Sequence, residues 1–271
     1  MNNINPVITI VVQARMSSSR LPGKVMLPIL GEPLLFRMLE RLNQIKYPVN
    51  IIVATSLDDK DDIIEEFCHR KKIDFYRGDL NDLLDRHYQV GLLTGADAVI
   101  KIPSDCPLID PKIIDKVIDF YLENQGNYDF ISNLHPATYP DGNDVELMTF
   151  TALEKAWQEA KRPLEREHTT PYFWENPDKF RLANLTWEKN LDYSMSHRFT
   201  IDYQEDYQFI KTVFEELYPE KPDFSMDDIL TLIDLKPAIY ELNKRYAGVN
   251  WYRNHLDELT TISSEQTKIY S

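Results

Sequence analysis

Between Ile8 and Ile102 the chain alternates short β-branched runs with amphipathic stretches, and this alternation restricts its fold more than any other feature. Ile8 to Val12 is bounded by Pro6 and by a Ser-rich, Pro-Gly segment, the pattern of a buried strand running into a loop. Behind Pro33, a residue suited to a first helical turn, Leu34, Leu35, Met38, Leu39, Leu42 and Ile45 recur at helical spacing. The pattern repeats as strand Ile51 to Ala54, helix Asp61 to Arg70, a short strand near Phe75, helix Asp82 to Thr94 and strand Ala98 to Ile102. Such a series predicts an α/β fold: a mostly parallel sheet with helices on both faces, its ligand loops at the carboxyl ends of the strands.

Past Ile102 the regularity loosens. A helix from Lys112 to Asn124, a strand near Phe130, a loop through Pro136 and Pro140, and a helix from Thr151 to Ala160 are expected. Residues 140–195 read as an inserted arm on a domain spanning 1–222, with a strand at Phe199 to Ile201 returning to the sheet and a helix from Glu205 to Tyr218. Residues 223–271 read as a helical extension that frays from Gln266 to Ser271. Trp157, Tyr172, Phe173 and Trp174 in the arm are large side chains of the kind enriched in interfaces, which suggests a homodimer.

Charge narrows the function. Thirty Lys and Arg against 44 Asp and Glu give a formal charge of −14, which opposes nucleic acid and anionic lipid as partners. The run Val7 to Val12 is too short to span a membrane and no Lys or Arg precedes it, so a cytoplasmic location is expected. Cys68 and Cys106 are too few for a disulfide framework and read as reduced and buried. Yet the segment before Glu32 holds Arg15, Arg20 and Lys24 and no acid, where the chain average would place about five. Residues 13–24, QARMSSSRLPGK, follow the first strand and offer backbone N–H groups around Ala14, the hydroxyls of Ser17, Ser18 and Ser19, and three cations. An anionic ligand, a triphosphate in particular, accounts for such an island. A solvated loop pairing with acids elsewhere is the plainer alternative.

The string QARMSSSRLPGKVMLPILGEPLL resembles the opening of the cytidylyltransferases, the group that includes the spore coat polysaccharide synthesis proteins, the CMP-Kdo synthetases and the acylneuraminate cytidylyltransferases. VATS at 53–56, RGDLNDLLDRH at 77–87, DCPLID at 105–110, YPDGNDVE at 139–146, REHTTPY at 166–172 and RFTIDYQEDY at 198–207 extend the resemblance in order. The resemblance implies a Rossmann-like, glycosyltransferase-A-like nucleotidyltransferase fold and attack by a sugar or sugar-acid oxygen on the α-phosphorus of CTP, with pyrophosphate leaving. Arg15, Arg20 and Lys24 match the family's basic loop, and Asp105 and Asp202 its magnesium carboxylates, making Arg15, Lys24, Asp105 and Asp202 the candidate catalytic set. Arg86 lies where the family contacts the base. Tyr139, Asp144 and Glu146, with Asp141 and Asn143 beside them, resemble the acceptor pocket, and Glu167 and His168 a second element of it.

Each match has a structural alternative. Asp105 before Pro107 can cap a turn, Asp202 and Asp206 can simply favour a helix start, and Glu167 can open a helix. Relatives commonly carry Thr-Gly before Asp-Cys-Pro, whereas Pro103-Ser104 stands here and Pro103 lacks a backbone donor near the nucleotide. A glycosyltransferase using a nucleotide sugar and an inactive nucleotide-binding scaffold are the competing functions. Three cations exceed what a diphosphate requires, and no basic or metal residue has been lost. The acceptor itself could be a sugar acid, a sugar phosphate or a phosphonate.

Overall fold

The computed structural model describes residues 6–268. The sequence of β-branched runs becomes strands β1 (Ile8–Gln13), β4 (Val49–Ser56), β5 (Phe75–Gly78) and β6 (Ala98–Pro103), which pair in parallel in the order β5-β4-β1-β6. A two-residue hairpin, β2 (Pro28–Ile29) and β3 (Glu32–Pro33), precedes helix α1 (Leu34–Leu42). Between the strands run α2 (Asp62–Lys71) and α3 (Leu83–Thr94), and α4 (Pro111–Glu123) follows β6. Local chemistry sets the ends: Asp82 accepts from the Asp85 N–H to cap α3, and Asp110 with Pro111 opens α4.

Alternate residues of β1 face opposite sides of the sheet. Ile8, Ile10 and Val12 join the core beneath α1, α2 and α4, whereas Val11 joins the core beneath α3. Helices therefore cover both faces, as expected, and the strand ends of β1 and β6 open onto one rim.

The second half departs from expectation in three places. The inserted residues 140–195 contribute to the sheet itself: β8 (Glu146–Thr149) and β9 (Leu182–Asn184), with β7 (Phe130–Ser132) before them, complete a seven-stranded sheet in the order β6-β8-β7-β9. Helices α5 (Phe150–Glu159), α6 (Pro163–His168) and α7 (Pro171–Trp174) pack on the second core. The aromatics that suggested a dimer contact are spent there: Tyr172, Phe173 and Trp174 are buried in the chain itself, and Trp157 stacks on Tyr88 at 4.2 Å.

Phe199 to Ile201 is not a sheet strand. It is an extended segment stitched to two loops, the Phe199 N–H donating to the Asp141 carbonyl (2.7 Å) and the Ile201 N–H to the Asp105 carbonyl (2.9 Å). Gly142, at φ 103°, permits this approach, since a Cβ there would stand 2.7 Å from the Phe199 carbonyl carbon. Beyond it come α8 (Gln204–Leu217), α9 (Met226–Leu235) and α10 (Pro237–Tyr240).

The described part of the tail is not frayed. The Lys268 N–H donates to the Gly248 carbonyl, Asn250 donates to the Gln266 carbonyl, and Thr267 is buried. Leu259 and Ile262 enter the same core as α3, α5 and α7, so residues 249–268 pack back onto the sheet domain. The expectation for Ile269 to Ser271 lies outside the described residues.

Candidate active site

The basic loop turns inward at Gly23, which sits at φ 71° and leads into a single 3-10 turn from Lys24. Lys24 is thereby only 8% exposed, so it is not a cation of a solvated loop. Its ammonium donates to Asp105 Oδ2 (2.9 Å), to Asp202 Oδ1 (3.0 Å) and to the Ile201 carbonyl (2.6 Å). Burial pulls its pKa down, but Asp105 and Asp202 outweigh burial and hold it above the ordinary lysine value. Arg20 pairs with the same Asp202 oxygen at 2.7 Å, and Arg15 stands half exposed, 3.9 Å from Glu167.

The loop's amides are less free than its sequence suggests. Those of Ala14, Met16, Gly23 and Lys24 donate to the Ala54 carbonyl, Asp61 Oδ1, and the carbonyls of Met16 and Leu21. Ala14, Ser18 and Ser19 line the central cavity with Arg15, Arg20 and Lys24, whereas Ser17 is exposed and lies outside that lining. The hydroxyls and cations, more than a nest of amides, face the space.

Asp105 follows the carboxyl end of β6 as expected. Asp202 does not follow a strand; it reaches the same point because the 199–201 segment is bonded to the Asp105 loop. Burial alone would raise the Asp202 pKa, but Lys24, Arg198 and Arg20 together hold it below the usual carboxylate range. Behind it lies Arg198, 2% exposed, which the sequence reading missed. Its guanidinium donates to Asp202 Oδ2 (2.9 Å), Asp141 Oδ2 (3.1 Å), Asp206 Oδ1 (3.0 Å) and the Val249 carbonyl (2.7 Å). Asp206 is likewise no exposed helix-start acid: it is fully buried and accepts from Arg198, Asn243 and the amides of Asp202 and Tyr203.

Arg86 is buried against β4, donating to the Ala54 and Leu80 carbonyls, while its edge borders the cavity. Burial, reinforced by nearby Arg15, brings its pKa down to about 10.

The other half of the cavity is acidic and aromatic. Tyr139 is buried on Trp187 with its hydroxyl toward Glu188, and Asn143 is spent on the Asp110 amide and the Pro140 carbonyl, so both build the wall. Glu146 pairs with Lys101 at 2.7 Å, its neighbour across the β6–β8 ladder. Lys101 was legible as the one cation in AVIKIP. Burial, then Glu146, pushes Asp144 up to about 6, although its Oδ1 accepts from the Gly142 N–H at 3.3 Å. Glu167 lies at the end of α6, not at a helix start. His168 stacks on Trp251 at 3.9 Å and 9°, and burial with Lys101 nearby holds it neutral, its pKa lowered to about 3.

Trp251 and Tyr252, with Gly248 to Asn250, come from the tail and were not anticipated. They close a cavity of about 580 Å³ that runs from the basic loop to the acidic wall. That is ample for a nucleotide beside a second small molecule.

Among the described residues no three His, Cys, Asp or Glu side chains gather as a ready metal cage. Asp105 and Asp202 nonetheless converge on a single cation, the Lys24 ammonium, with the Ile201 carbonyl beside them. An all-oxygen pair of carboxylates fits magnesium, which takes one or two protein carboxylates and fills its remaining positions with water and phosphate.

A family model described as cytidylyltransferase matches residues 9–248. The spore coat polysaccharide biosynthesis protein SpsF of Bacillus subtilis is 30% identical over 241 residues, covering 85% of this chain and 95% of that protein. The 8-amino-3,8-dideoxy-manno-octulosonate cytidylyltransferase of Shewanella baltica is 35% identical over 127 residues, 45% of this chain and 50% of its own. Among solved structures, a cytidylyltransferase from Leptospira borgpetersenii superposes with a TM-score of 0.81 at 37% identity, covering 86% of this chain and 96% of that one.

Proposed function

This chain belongs to the cytidylyltransferase family, and from that premise we propose that it transfers CMP from CTP to a sugar acid or related surface-glycan precursor, releasing pyrophosphate. The observation that carries the reading is the ammonium of Lys24 clamped between Asp105 and Asp202 at the base of the cavity, with Arg20 on the same carboxylate. In the reaction the acceptor oxygen bonds to the α-phosphorus, the bond from that phosphorus to the β-phosphate oxygen breaks with its electron pair leaving on pyrophosphate, and the acceptor hydroxyl gives up its proton to solvent. The chain's task is to gather and neutralise the triphosphate and the charge that grows on departing pyrophosphate.

Lys24, Arg20 and Arg15 are the groups for that task, exchanging their present carboxylate partners for phosphate oxygens as CTP enters. Lys24 supplies a point charge and the two arginines paired donors. Asp105 and Asp202, relieved of those cations, would hold magnesium, which when bound neutralises phosphate charge beside the reacting phosphorus. Ser18 and Ser19 add hydroxyls, and Arg86 borders the base end.

On the acceptor side Asp144, Glu146, Glu167 and His168 present carboxylates and one aromatic face, a lining for sugar hydroxyls. Such a lining tolerates the single negative charge of a sugar acid better than the two of a sugar phosphate or phosphonate, which is why the sugar-acid reading is favoured over them. A cytoplasmic site of action is the reading that goes with CTP as donor. Among the described residues no helix is long and apolar enough to cross a membrane.

Pyrophosphate release with each of the four nucleoside triphosphates, alone and with a panel of sugar acids, sugar phosphates and phosphonates, tests the reading. Release with CTP only when a sugar acid is present is expected. Equal release from ATP or GTP would refute it.

A further inference from the structure

Asp202 is held from two sides by groups of different kinds. Its Oδ1 accepts from Lys24 and Arg20, cations at the cavity surface; its Oδ2 accepts from Arg198, which is 2% exposed. Arg198 is in turn fixed by everything around it: Asp206 takes its Nε and Nη2, while Asp141 and the Val249 carbonyl take Nη1. Asp206 is anchored by the Asp202 and Tyr203 amides and by Asn243.

We propose that Arg198 is a positioning residue for the cation site: it locks Asp202 Oδ2 so that Oδ1 alone is presented to whatever cation occupies the base of the cavity, Lys24 in the empty enzyme and the divalent ion with nucleotide bound. The proposal rests on the reading of Asp202 as a metal carboxylate. Geometry supports the division of labour. The four acceptors on Arg198 converge from the 141 loop, α8, Asp202 and the tail, so the guanidinium cannot follow Asp202 if that carboxylate rotates. A planar fork with several fixed donors does this; an ammonium, with one donor centre, cannot reach all four acceptors.

The same connections tie the tail to the nucleotide end. Val249 lies one residue beyond the stretch matched by the family model, and its carbonyl is held by the guanidinium that holds Asp202. Docking of residues 249–252 and orientation of Asp202 thus share one side chain.

The test is Mn²⁺ binding, followed by electron paramagnetic resonance with CTP present and no acceptor, in the full-length wild type, R198K, D202N and the double variant. CTP binding is measured in parallel by calorimetry in EDTA. Loss of an outer partner of a metal ligand costs about 10–100-fold in metal affinity, so R198K should bind Mn²⁺ at least about tenfold more weakly. Its metal-free CTP affinity should stay within about twofold of wild type, which a general loosening of the fold would not allow. In the D202N background R198K should add little further loss, because Arg198 acts through that carboxylate.

An R198K protein that binds Mn²⁺ like wild type, or a full R198K penalty persisting in D202N, overturns the proposal. Should R198K fail to fold, D206N serves in its place. It frees the Nε side of Arg198 while keeping shape, and it should weaken Mn²⁺ more than metal-free CTP; equal loss of both overturns the proposal. A wild type that binds neither Mn²⁺ nor CTP overturns instead the cytidylyltransferase reading on which this one stands.

Discussion

The Lys24 ammonium stands 3.0 Å from Asp202 Oδ1, and the same ammonium is 2.9 Å from Asp105, so a lysine occupies the point on which two carboxylates 97 positions apart converge. Parallel-sheet topology brings Asp105 to the rim; the 199–201 segment, bonded to that loop, brings Asp202.

Replacing Lys24 with Ala removes the charge-assisted contact to phosphate proposed for it, worth about 1.5–3 kcal/mol, so turnover should fall at least about tenfold. The variant should also melt lower than wild type without metal, since Asp105 and Asp202 then face each other without their shared cation. Magnesium should raise its melting temperature more than it raises that of wild type. Unchanged kinetics, or a magnesium shift no larger than in wild type, would contradict this.

Asp105→Asn and Asp202→Asn should each cost orders of magnitude in turnover, partly recovered at high magnesium. Their stabilities should differ. Asp202 is tied to Lys24, Arg20 and Arg198, whereas Asp105 gives its carboxylate to Lys24, so the Asp202 variant should be the less stable by about 1–3 kcal/mol. Thermal melts of both variants with a magnesium titration of turnover check the pair; near-normal turnover in either sinks the metal assignment.

Asp144 gives a pH dependence. Its carboxyl is pushed up to about 6 in the fold by burial and by Glu146. A raised acid binds more protons folded than unfolded, so it costs stability once ionised: nothing below about pH 4, growing as pH rises, complete above about pH 6. Asp144→Asn should therefore be more stable than wild type at pH 8 by up to about 2 kcal/mol, with the advantage gone at pH 4. Denaturant melts at the two pH values decide it; an advantage that grows on acidification would be the wrong sign.

Leu259 tests whether the tail belongs to the fold. It is buried among α5 and α7 residues, and Leu→Ala at such a site costs about 2–5 kcal/mol. A single cooperative transition shifted downward is expected. An unshifted main transition would mean that residues 223–271 form a separable extension.

The first hundred-odd positions were legible because β1 and β6 are buried along nearly their whole length and the crossovers are amphipathic helices, so periodicity placed β1, β4, β5 and β6, though not the two-residue β2 and β3. β8 and β9 escaped because the strand–helix alternation has ended there: β8 runs straight into α5 at Phe150, and β9 is a three-residue strand paired only with β7 at the sheet edge. Lys24, Arg20, Asp105 and Asp202 could be picked out from an acid-free island and from motif resemblance, and the structure brings them together. Arg198 could not: as one Arg among acids it reads as a surface ion pair, and only the three-dimensional approach of Asp141, Asp206 and Val249 turns it into a buried hub. Trp251 and Tyr252 lie some 80 residues from the His168 and Trp174 they pack against, and nothing local marks that return.

The most direct test follows label rather than rate. The enzyme is incubated with CTP carrying radioactive phosphorus at the α position or, separately, at the γ position, together with the sugar acid that supports pyrophosphate release. The account predicts α label in a CMP-linked sugar, γ label wholly in pyrophosphate, and equal amounts of the two products. Label from the γ position on the sugar, or CDP and inorganic phosphate in place of CMP-sugar and pyrophosphate, would contradict it.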